Sequence, residues 1–203
     1  VATPEGQPPS DAVVLFDGSN LDAWEAAEGG PAEWLVADGA MSVARGKGDI
    51  RTKDSFCDAQ LHIEWRAPPN DQGHNGQDRG NSGVFLQERY EVQVLDSTDN
   101  PNYVNGPAGS IYKQHPPLVN VSRGPEAWQS YDIIFTAPIF AEDGGLRVPG
   151  YVTVMQNGVV VQNHAQLQGP TEWIGYPSYK AHDCAPIKLQ DHDADVSYRN
   201  IWI

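Results

Sequence analysis

Gly80-Asn81-Ser82-Gly83-Val84-Phe85-Leu86-Gln87, then Glu88-Arg89, then Tyr90-Glu91-Val92-Gln93-Val94-Leu95-Asp96 read as two β-strands folded back on a tight turn. Side chains alternate across a strand with period two, so Glu91 and Gln93 share a face. Asp96 lies three residues beyond Gln93 and in a regular strand points the other way. A β-bulge at Val94-Leu95 would bring it round, and bulges gather near active sites. The expectation is a sheet face bearing Glu91, Gln93 and Asp96. The alternative is a solvated outer face that ends in a turn aspartate.

Outward from this pair, the chain is a succession of short β-rich runs between turn signals. Ala59, Leu61, Ile63 and Trp65 form one face of Asp58 to Arg66; Asp58, Gln60, His62, Glu64 and Arg66 form the other. Tyr131, Ile133 and Phe135 do the same in Trp128 to Thr136. Asp38-Gly39 and Asn157-Gly158 supply the positive φ angles of two-residue hairpin turns. Val13 to Phe16, Ile187 to Gln190 and Val196 to Ile203 read as further strands, the last tying Trp202 into the core. Pro68 to Asp78 is a long polar loop, and Ala141 to Pro149 is another. Roughly a dozen strands without helical crossovers imply an all-β fold of two antiparallel sheets packed face to face. Residues 1–11, rich in Pro, Gly and polar side chains, read as a loose tail, and 12–203 as a single domain.

A chain of 203 residues can bury a sizeable core, and 20 Gly with 16 Pro favour turns over helices. The formal net charge of −14 argues against nucleic acid and anionic membranes as partners. No apolar run reaches membrane-spanning length, so no membrane insertion is expected. Cys57 and Cys184, without a CxxC or Cys/His cluster, are either one disulfide or two buried thiols. Nothing in the pattern specifies an oligomeric state.

Seven segments together resemble one family. They are Leu15-Phe16-Asp17-Gly18-Ser19-Asn20-Leu21-Asp22-Ala23-Trp24, Leu61-His62-Ile63-Glu64-Trp65-Arg66, the two strands quoted at the outset, Thr153-Val154-Met155-Gln156-Asn157-Gly158-Val159, Gly169-Pro170-Thr171, and Pro186 to His192 with Arg199-Asn200-Ile201. In this order they resemble the 3-keto-disaccharide hydrolases, over almost all of Val13 to Ile203. Asp193 departs from the pattern, which usually has Gly there. The resemblance implies a concanavalin-like jelly-roll sandwich, a secreted or periplasmic location and a carbohydrate substrate oxidised at carbon 3. Glu91-x-Gln93-x-x-Asp96 also looks like the bulged Glu-x-Asp-x-x-Glu strand of laminarinase-type glycosidases, with the middle carboxylate replaced by Gln.

A ketone at carbon 3 acidifies the proton on carbon 2, and the glycosidic oxygen on carbon 1 lies β to the resulting carbanion. Proton abstraction, expulsion of the leaving group and addition of water give a net hydrolysis. The site needs a base, an acid for the leaving oxygen and an electropositive group for the enolate. Candidates are Glu91 or Asp96 as base, and His115 or His192 as acid or charge stabiliser. Arg66 or Lys113 can stabilise the enolate; Glu64, Asn81, Gln93, Tyr112, Trp128 and Gln190 are candidate sugar contacts. A divalent cation could take the enolate role through ligands drawn from His62, Glu64, Glu91 and His192. Each has a plainer reading: His62 and Glu64 as a polar strand pair, His192 as a turn cap, and Tyr112 and Trp128 as core aromatics. Two other functions compete, a non-catalytic carbohydrate-binding module and a two-carboxylate glycosidase.

Overall fold

The structure, a computed structural model, describes residues 1–4, 7–70 and 72–203. The tail expected at 1–11 and the polar loop expected at 68–78 thus lie partly outside the described residues. The early strands are β1 (Val14–Phe16), β2 (Trp24–Ala26), β3 (Leu35–Ala37), β4 (Ala40–Ser42), β5 (Ile50–Thr52) and β6 (Ala59–Arg66). The central pair is β7 (Ser82–Leu86) and β8 (Tyr90–Val94). There follow β9 (Gln129–Thr136), β10 (Ile139–Phe140), β11 (Leu146–Val148), β12 (Tyr151–Gln156) and β13 (Val159–Gln166). The chain closes with β14 (Lys188–Leu189) and β15 (Ser197–Trp202). Among the described residues there is no α-helix; one 3-10 turn spans Gly76–Asp78.

Two antiparallel sheets make the sandwich that the alternation implies. The larger runs β13-β12-β9-β6-β15-β4-β3, with β1 added on β15; the smaller runs β2-β5-β14-β7-β8. Their order is not sequential, because the chain crosses between layers as a jelly roll does. Leu61, Ile63, Trp65, Tyr131, Ile133 and Phe135 face inward from the larger sheet, against Val84, Leu86, Val92, Val94, Ile50 and Leu189 of the smaller. Period two then decides what lies outside. His62, Glu64 and Arg66 stand on the outer face of the larger sheet, while Phe85, Glu91 and Gln93 stand on the outer face of the smaller.

Two hydroxyl ties cross the core. Tyr131 donates from Oη to the Gln93 carbonyl at 2.6 Å. Tyr198 donates to Ser82 Oγ at 2.7 Å, and Ser82 in turn to the Gln190 carbonyl at 2.6 Å. Buried hydroxyls need such partners, and here the partners are the strands that carry Gln93 and lead to His192. The larger sheet therefore sets where those strands sit.

Several local readings hold. Asp38-Gly39 and Asn157-Gly158 have φ of 52° and 73°, and 52° and 79°, and join the β3–β4 and β12–β13 hairpins. Cys57 and Cys184 are joined in a disulfide, which accords with an oxidising compartment outside the cytoplasm. Among the described residues no helix is long and apolar enough to cross a membrane.

Others need correction. The β7–β8 turn has three residues, Gln87 to Arg89, with Gln87 and Glu88 at φ of 51° and 59°. The segment read as a loop at Ala141 to Pro149 contains β11, which pairs with β10. Trp202 does not enter the core: β15 brings Ile201 inward, and Trp202 stacks on His62 outside with ring centroids 5.0 Å apart.

Candidate functional site

β7 and β8 are in unbroken antiparallel register, with Gly83 opposite Gln93 and Phe85 opposite Glu91. Their outward side chains would face solvent if the sheet were bare. Three segments cover it instead. Gly109 to Tyr112 runs along the free edge of β8: Gln93 donates to the Ser110 carbonyl and accepts from the Gly109 N–H, and Tyr112 donates to the Glu91 carbonyl. The Glu91 N–H goes to Thr171 Oγ1 at 3.0 Å, which pins the loop carrying Trp173 beside the same edge. The turn after β14 is held by Asp49, whose Oδ1 accepts from the Asp191 N–H at 2.9 Å.

These walls enclose a hollow of about 220 Å³. Its floor is Phe85, Glu91 and Gln93; Asn81, Gln77 and Tyr112 close one side, and Thr171, Trp173, Gln190 and His192 the rest. Trp173 is 71% exposed and presents its indole at the mouth. Tyr112 shares a hydroxyl hydrogen bond of 2.7 Å with Tyr103.

Glu91 is 5% exposed and its carboxyl has no hydrogen-bond partner among the described residues. Room for it exists only because residue 83 is glycine: a Cβ there would lie 2.6 Å from Glu91 Oε1 and 2.7 Å from Phe85 Cε2. Burial pushes the Glu91 pKa up to about 8, the positive charge of Lys188 working against the rise and Asp49 adding to it. Lys188 neighbours Phe85 across the β14–β7 ladder, lies over its ring at 4.3 Å and pairs with Asp49 at 2.8 Å.

Gln93 is a fixed donor. Its amide nitrogen reaches Asn81 Oδ1 at 2.8 Å and the carbonyls of Ser82 and Val94 at 2.9 Å each. His192 is exposed at the rim, and its ring makes no hydrogen bond to a described residue.

Of the residues singled out in the sequence, Glu91, Gln93, Asn81, Tyr112, Gln190 and His192 come together here. Lys113 stands behind the wall, donating to the Trp173 carbonyl at 2.9 Å. Asp96 is not part of the hollow. Pairing in β8 ends at Val94, and the Asp96 N–H turns to the Arg79 carbonyl instead. Its carboxylate, 1% exposed, meets Arg79 Nε at 2.7 Å, a close ion pair that is off line for a hydrogen bond. The bulge that would have aimed it at Glu91 is absent from the β7–β8 register. His115 is elsewhere too, donating from Nε2 to the Gln166 carbonyl at 2.7 Å.

The remaining candidates lie across the sandwich. His62 donates from Nδ1 to Asp132 at 2.6 Å; Glu64 accepts from Arg199 at 2.6 Å and Asn200 at 2.9 Å. Burial opposes ionisation of Glu64, but those two hydrogen bonds together with the nearby positive charges of Arg199 and His62 outweigh it and hold its pKa below the ordinary value. Arg66 and Arg199 lie over the Trp128 ring at 4.8 and 4.1 Å. The four residues considered as cation ligands are therefore split, His62 and Glu64 on one outer face and Glu91 and His192 on the other. No three His, Cys, Asp or Glu side chains converge on a metal-sized site among the described residues, and that ligand set does not fit a bound cation.

Sequence reasoning missed Phe85, Gln77, Thr171 and Trp173. Phe85 was recoverable, since it shares the Gly83 face of β7. The others come from loops whose path no periodicity records.

Residues 11–203 match the family model described as 3-keto-alpha-glucoside-1,2-lyase-like domain. A crystal structure of a candidate glycosyl hydrolase from Parabacteroides distasonis superposes with a TM-score of 0.94 at 57% identity, covering 97% of this chain and 84% of that one. Two further Parabacteroides distasonis structures of candidate glycosyl hydrolases share the fold, at TM-scores of 0.67 and 0.65 and identities of 19% and 18%. Each covers 94% of this chain, with 92% and 97% of their own lengths matched. No curated protein matches the chain.

Proposed function

The chain belongs to the family of 3-keto-alpha-glucoside-1,2-lyase-like domains, and from that premise we propose that the Glu91 hollow cleaves glycosides oxidised at carbon 3 by elimination and hydration. The observation that carries the reading is a single carboxyl, Glu91, buried in a hollow lined otherwise by amides, hydroxyls, aromatics and one histidine. A carboxylate in water is a weak base; one whose pKa burial has raised to about 8 is matched to proton abstraction near neutral pH.

Glu91 takes the proton from carbon 2, and the electron pair moves to form the C1–C2 double bond as the C1–O bond breaks. His192, at the rim, gives a proton to the departing oxygen. Water then adds at carbon 1 and a proton returns to carbon 2, releasing the 3-keto sugar. The amide of Gln93, locked by three acceptors, and that of Asn81 orient hydroxyls on the floor. Trp173 offers its ring face at the mouth, the kind of surface on which a sugar stacks. The hollow is smaller than the ~300–1,000 Å³ of drug-sized pockets, which suits one sugar ring.

The two-carboxylate reading loses support because Asp96, the intended partner, is held by Arg79 outside the hollow and, among the described residues, no other acid lines it. A secreted or periplasmic location is part of the proposal, supported by the disulfide. The test is to incubate the purified protein with a matched pair of disaccharides, native and 3-oxidised, in buffered D₂O. Cleavage of the oxidised substrate alone, with deuterium appearing at carbon 2 of the product, supports elimination. Cleavage of the native sugar, or product free of deuterium at carbon 2, refutes it.

A further inference from the structure

Elimination needs a group to meet the negative charge that builds on the carbon 3 oxygen. Neither residue expected in that role lines the hollow: Arg66 lies over Trp128 on the other outer face, and Lys113 stands behind the wall. Resting on the elimination reading above, we infer that the Tyr112 hydroxyl is the hydrogen-bond donor to this oxygen. Tyr103 positions it from behind.

Register places Tyr112 beside the base. Val92 and Ile111 form an antiparallel bridge, so one step along it Glu91 is opposite Tyr112. The Tyr112 N–H, donating to the Glu91 carbonyl at 3.2 Å, closes that pair. Opposed residues project to one face, with Cβ atoms about 4.5–5.5 Å apart. Glu91 and Tyr112 therefore enter the same hollow side by side. Carbon 3 is bonded to carbon 2, so the donor for its oxygen must stand next to the group that takes the carbon 2 proton.

The pair also has the right chemistry. Tyr103 and Tyr112 share a hydrogen bond of 2.7 Å between their hydroxyls. When Tyr103 donates, the Tyr112 proton is free to point at a ligand. Lys113 Nζ lies 5.5 and 5.9 Å from the two ring centres, and its charge favours negative charge building at either oxygen. Burial pushes the Tyr112 pKa above its ordinary value; the Tyr103 bond opposes the rise and the Glu91 charge adds to it. Tyr112 thus keeps its proton over the range in which Glu91 loses its own. Other donors in the hollow serve less well. The Gln93 amide is taken by three acceptors. Thr171 carries an alkyl hydroxyl, a weaker acid than a phenol, and already accepts from the Glu91 N–H.

As Glu91 takes the proton, the C2–H electrons form the C2–C3 double bond and the C3=O π electrons move to oxygen, where the Tyr112 O–H meets them. Those electrons then restore C3=O and the C2–C3 pair becomes the C1–C2 double bond. The C1–O bond breaks, and His192 protonates the departing oxygen.

The experiment compares the wild type with Tyr112→Phe, Tyr103→Phe and the double variant. Each change removes one oxygen at a position that is not fully buried, so folding is retained. Cleavage is followed on methyl 3-keto-α-glucoside. Exchange of the carbon 2 hydrogen in D₂O is followed by NMR on 1,5-anhydro-3-keto-glucitol, which has no leaving group. Tyr112→Phe should slow both cleavage and exchange by about a hundredfold, with KM within about threefold of wild type. Tyr103→Phe should slow both by about three- to tenfold, and the double variant should be no slower than Tyr112→Phe, because Tyr103 acts through Tyr112. Tyr112→Phe within about threefold of wild type, or slowed in cleavage alone, overturns the assignment and leaves the elimination reading intact. Wild type that cleaves without exchanging also overturns it, since no enolate then forms ahead of bond breaking. A double variant slower than Tyr112→Phe by the whole Tyr103 factor overturns the positioning role. Wild type that neither cleaves nor exchanges removes the elimination reading, and the role of Tyr112 with it.

Discussion

Replacing Glu91 by Gln should make the folded protein more stable at alkaline pH while abolishing turnover. The carboxyl has an ordinary pKa of 4.5 and is pushed to about 8 by burial. A group whose folded pKa is raised binds more protons folded than unfolded, so stability falls as pH rises between the two values. Below about pH 4 both states hold the proton and Glu91 costs nothing. Above about pH 8 the folded state must carry a buried charge, and at about 1.4 kcal/mol per pH unit the penalty approaches roughly 5 kcal/mol. Gln has the same shape and no charge, and fits the space that Gly83 leaves. Melting temperatures of the two proteins, followed from pH 4 to 9, should coincide at the acid end and diverge through the interval. At pH 9 the variant should melt about 10–20 °C higher, using about 2–4 °C per kcal/mol for a chain of this length. A constant gap across the whole range, or a variant less stable at pH 9, would show that Glu91 is not desolvated and would undo the argument for its basicity.

The same raised pKa sets the rate profile: kcat/KM on a 3-keto-glycoside should climb with pH and level off above about 8, and a rate that falls across that range would make Glu91 an acid. Gly83→Ala should cut turnover by about a hundredfold or more and destabilise by about 1–3 kcal/mol, because the new methyl takes the space of the Glu91 carboxyl; kinetics with urea titration read both. Asp96→Asn should cost about 3–5 kcal/mol by leaving the Arg79 guanidinium buried without its partner, yet hold kcat within a few-fold where folded, which urea unfolding and an assay at low temperature can separate. Cys57→Ser/Cys184→Ser removes a link between residues 127 apart in sequence and should lower stability by about 2–5 kcal/mol, seen as an earlier urea midpoint.

How much of this was legible in the sequence depends on what each signal reports. Alternation in Ala59 to Arg66 and Gln129 to Thr136 marked strands and their buried faces, because half-buried strands must bury every second residue. Asn157-Gly158 and Asp38-Gly39 marked hairpins because few residues tolerate paired positive φ angles. Alternation does not say which sheet a strand joins, and the site expectations divide along that line. Glu91, Gln93 and Asn81 shared one hairpin region, so their meeting was local. Glu64, Arg66 and Trp128 have equally polar or amphipathic character, but their strands belong to the other sheet and their outer face points away. Asp96 was drawn in by its spacing from Gln93, whereas its backbone leaves the strand to meet Arg79. Trp173 and Thr171 reach the hollow through a loop, which the Thr171 Oγ1 contact with the Glu91 N–H and the Lys113 bond to the Trp173 carbonyl hold in place.

The arrangement has a physical logic that runs from the residue at 93 to the chemistry. A carboxylate there would stand on the same face as Glu91, two residues along one strand, at a spacing of roughly 7 Å. Two such groups in a dry hollow would share a proton, and one would titrate low and the other high. With Gln at 93, no second acid among the described residues lines the hollow, and desolvation is the largest cause of a Glu91 pKa far above its ordinary value. Gln93 cannot drift toward Glu91 as a hydrogen-bond donor, because its amide is occupied by Asn81, Ser82 and Val94. A donor to Glu91 would favour its charged form and lower its basicity. The amide substitution and its three acceptors thus keep the carboxyl both solitary and basic, at a cost in stability that the Glu91→Gln melting curves measure.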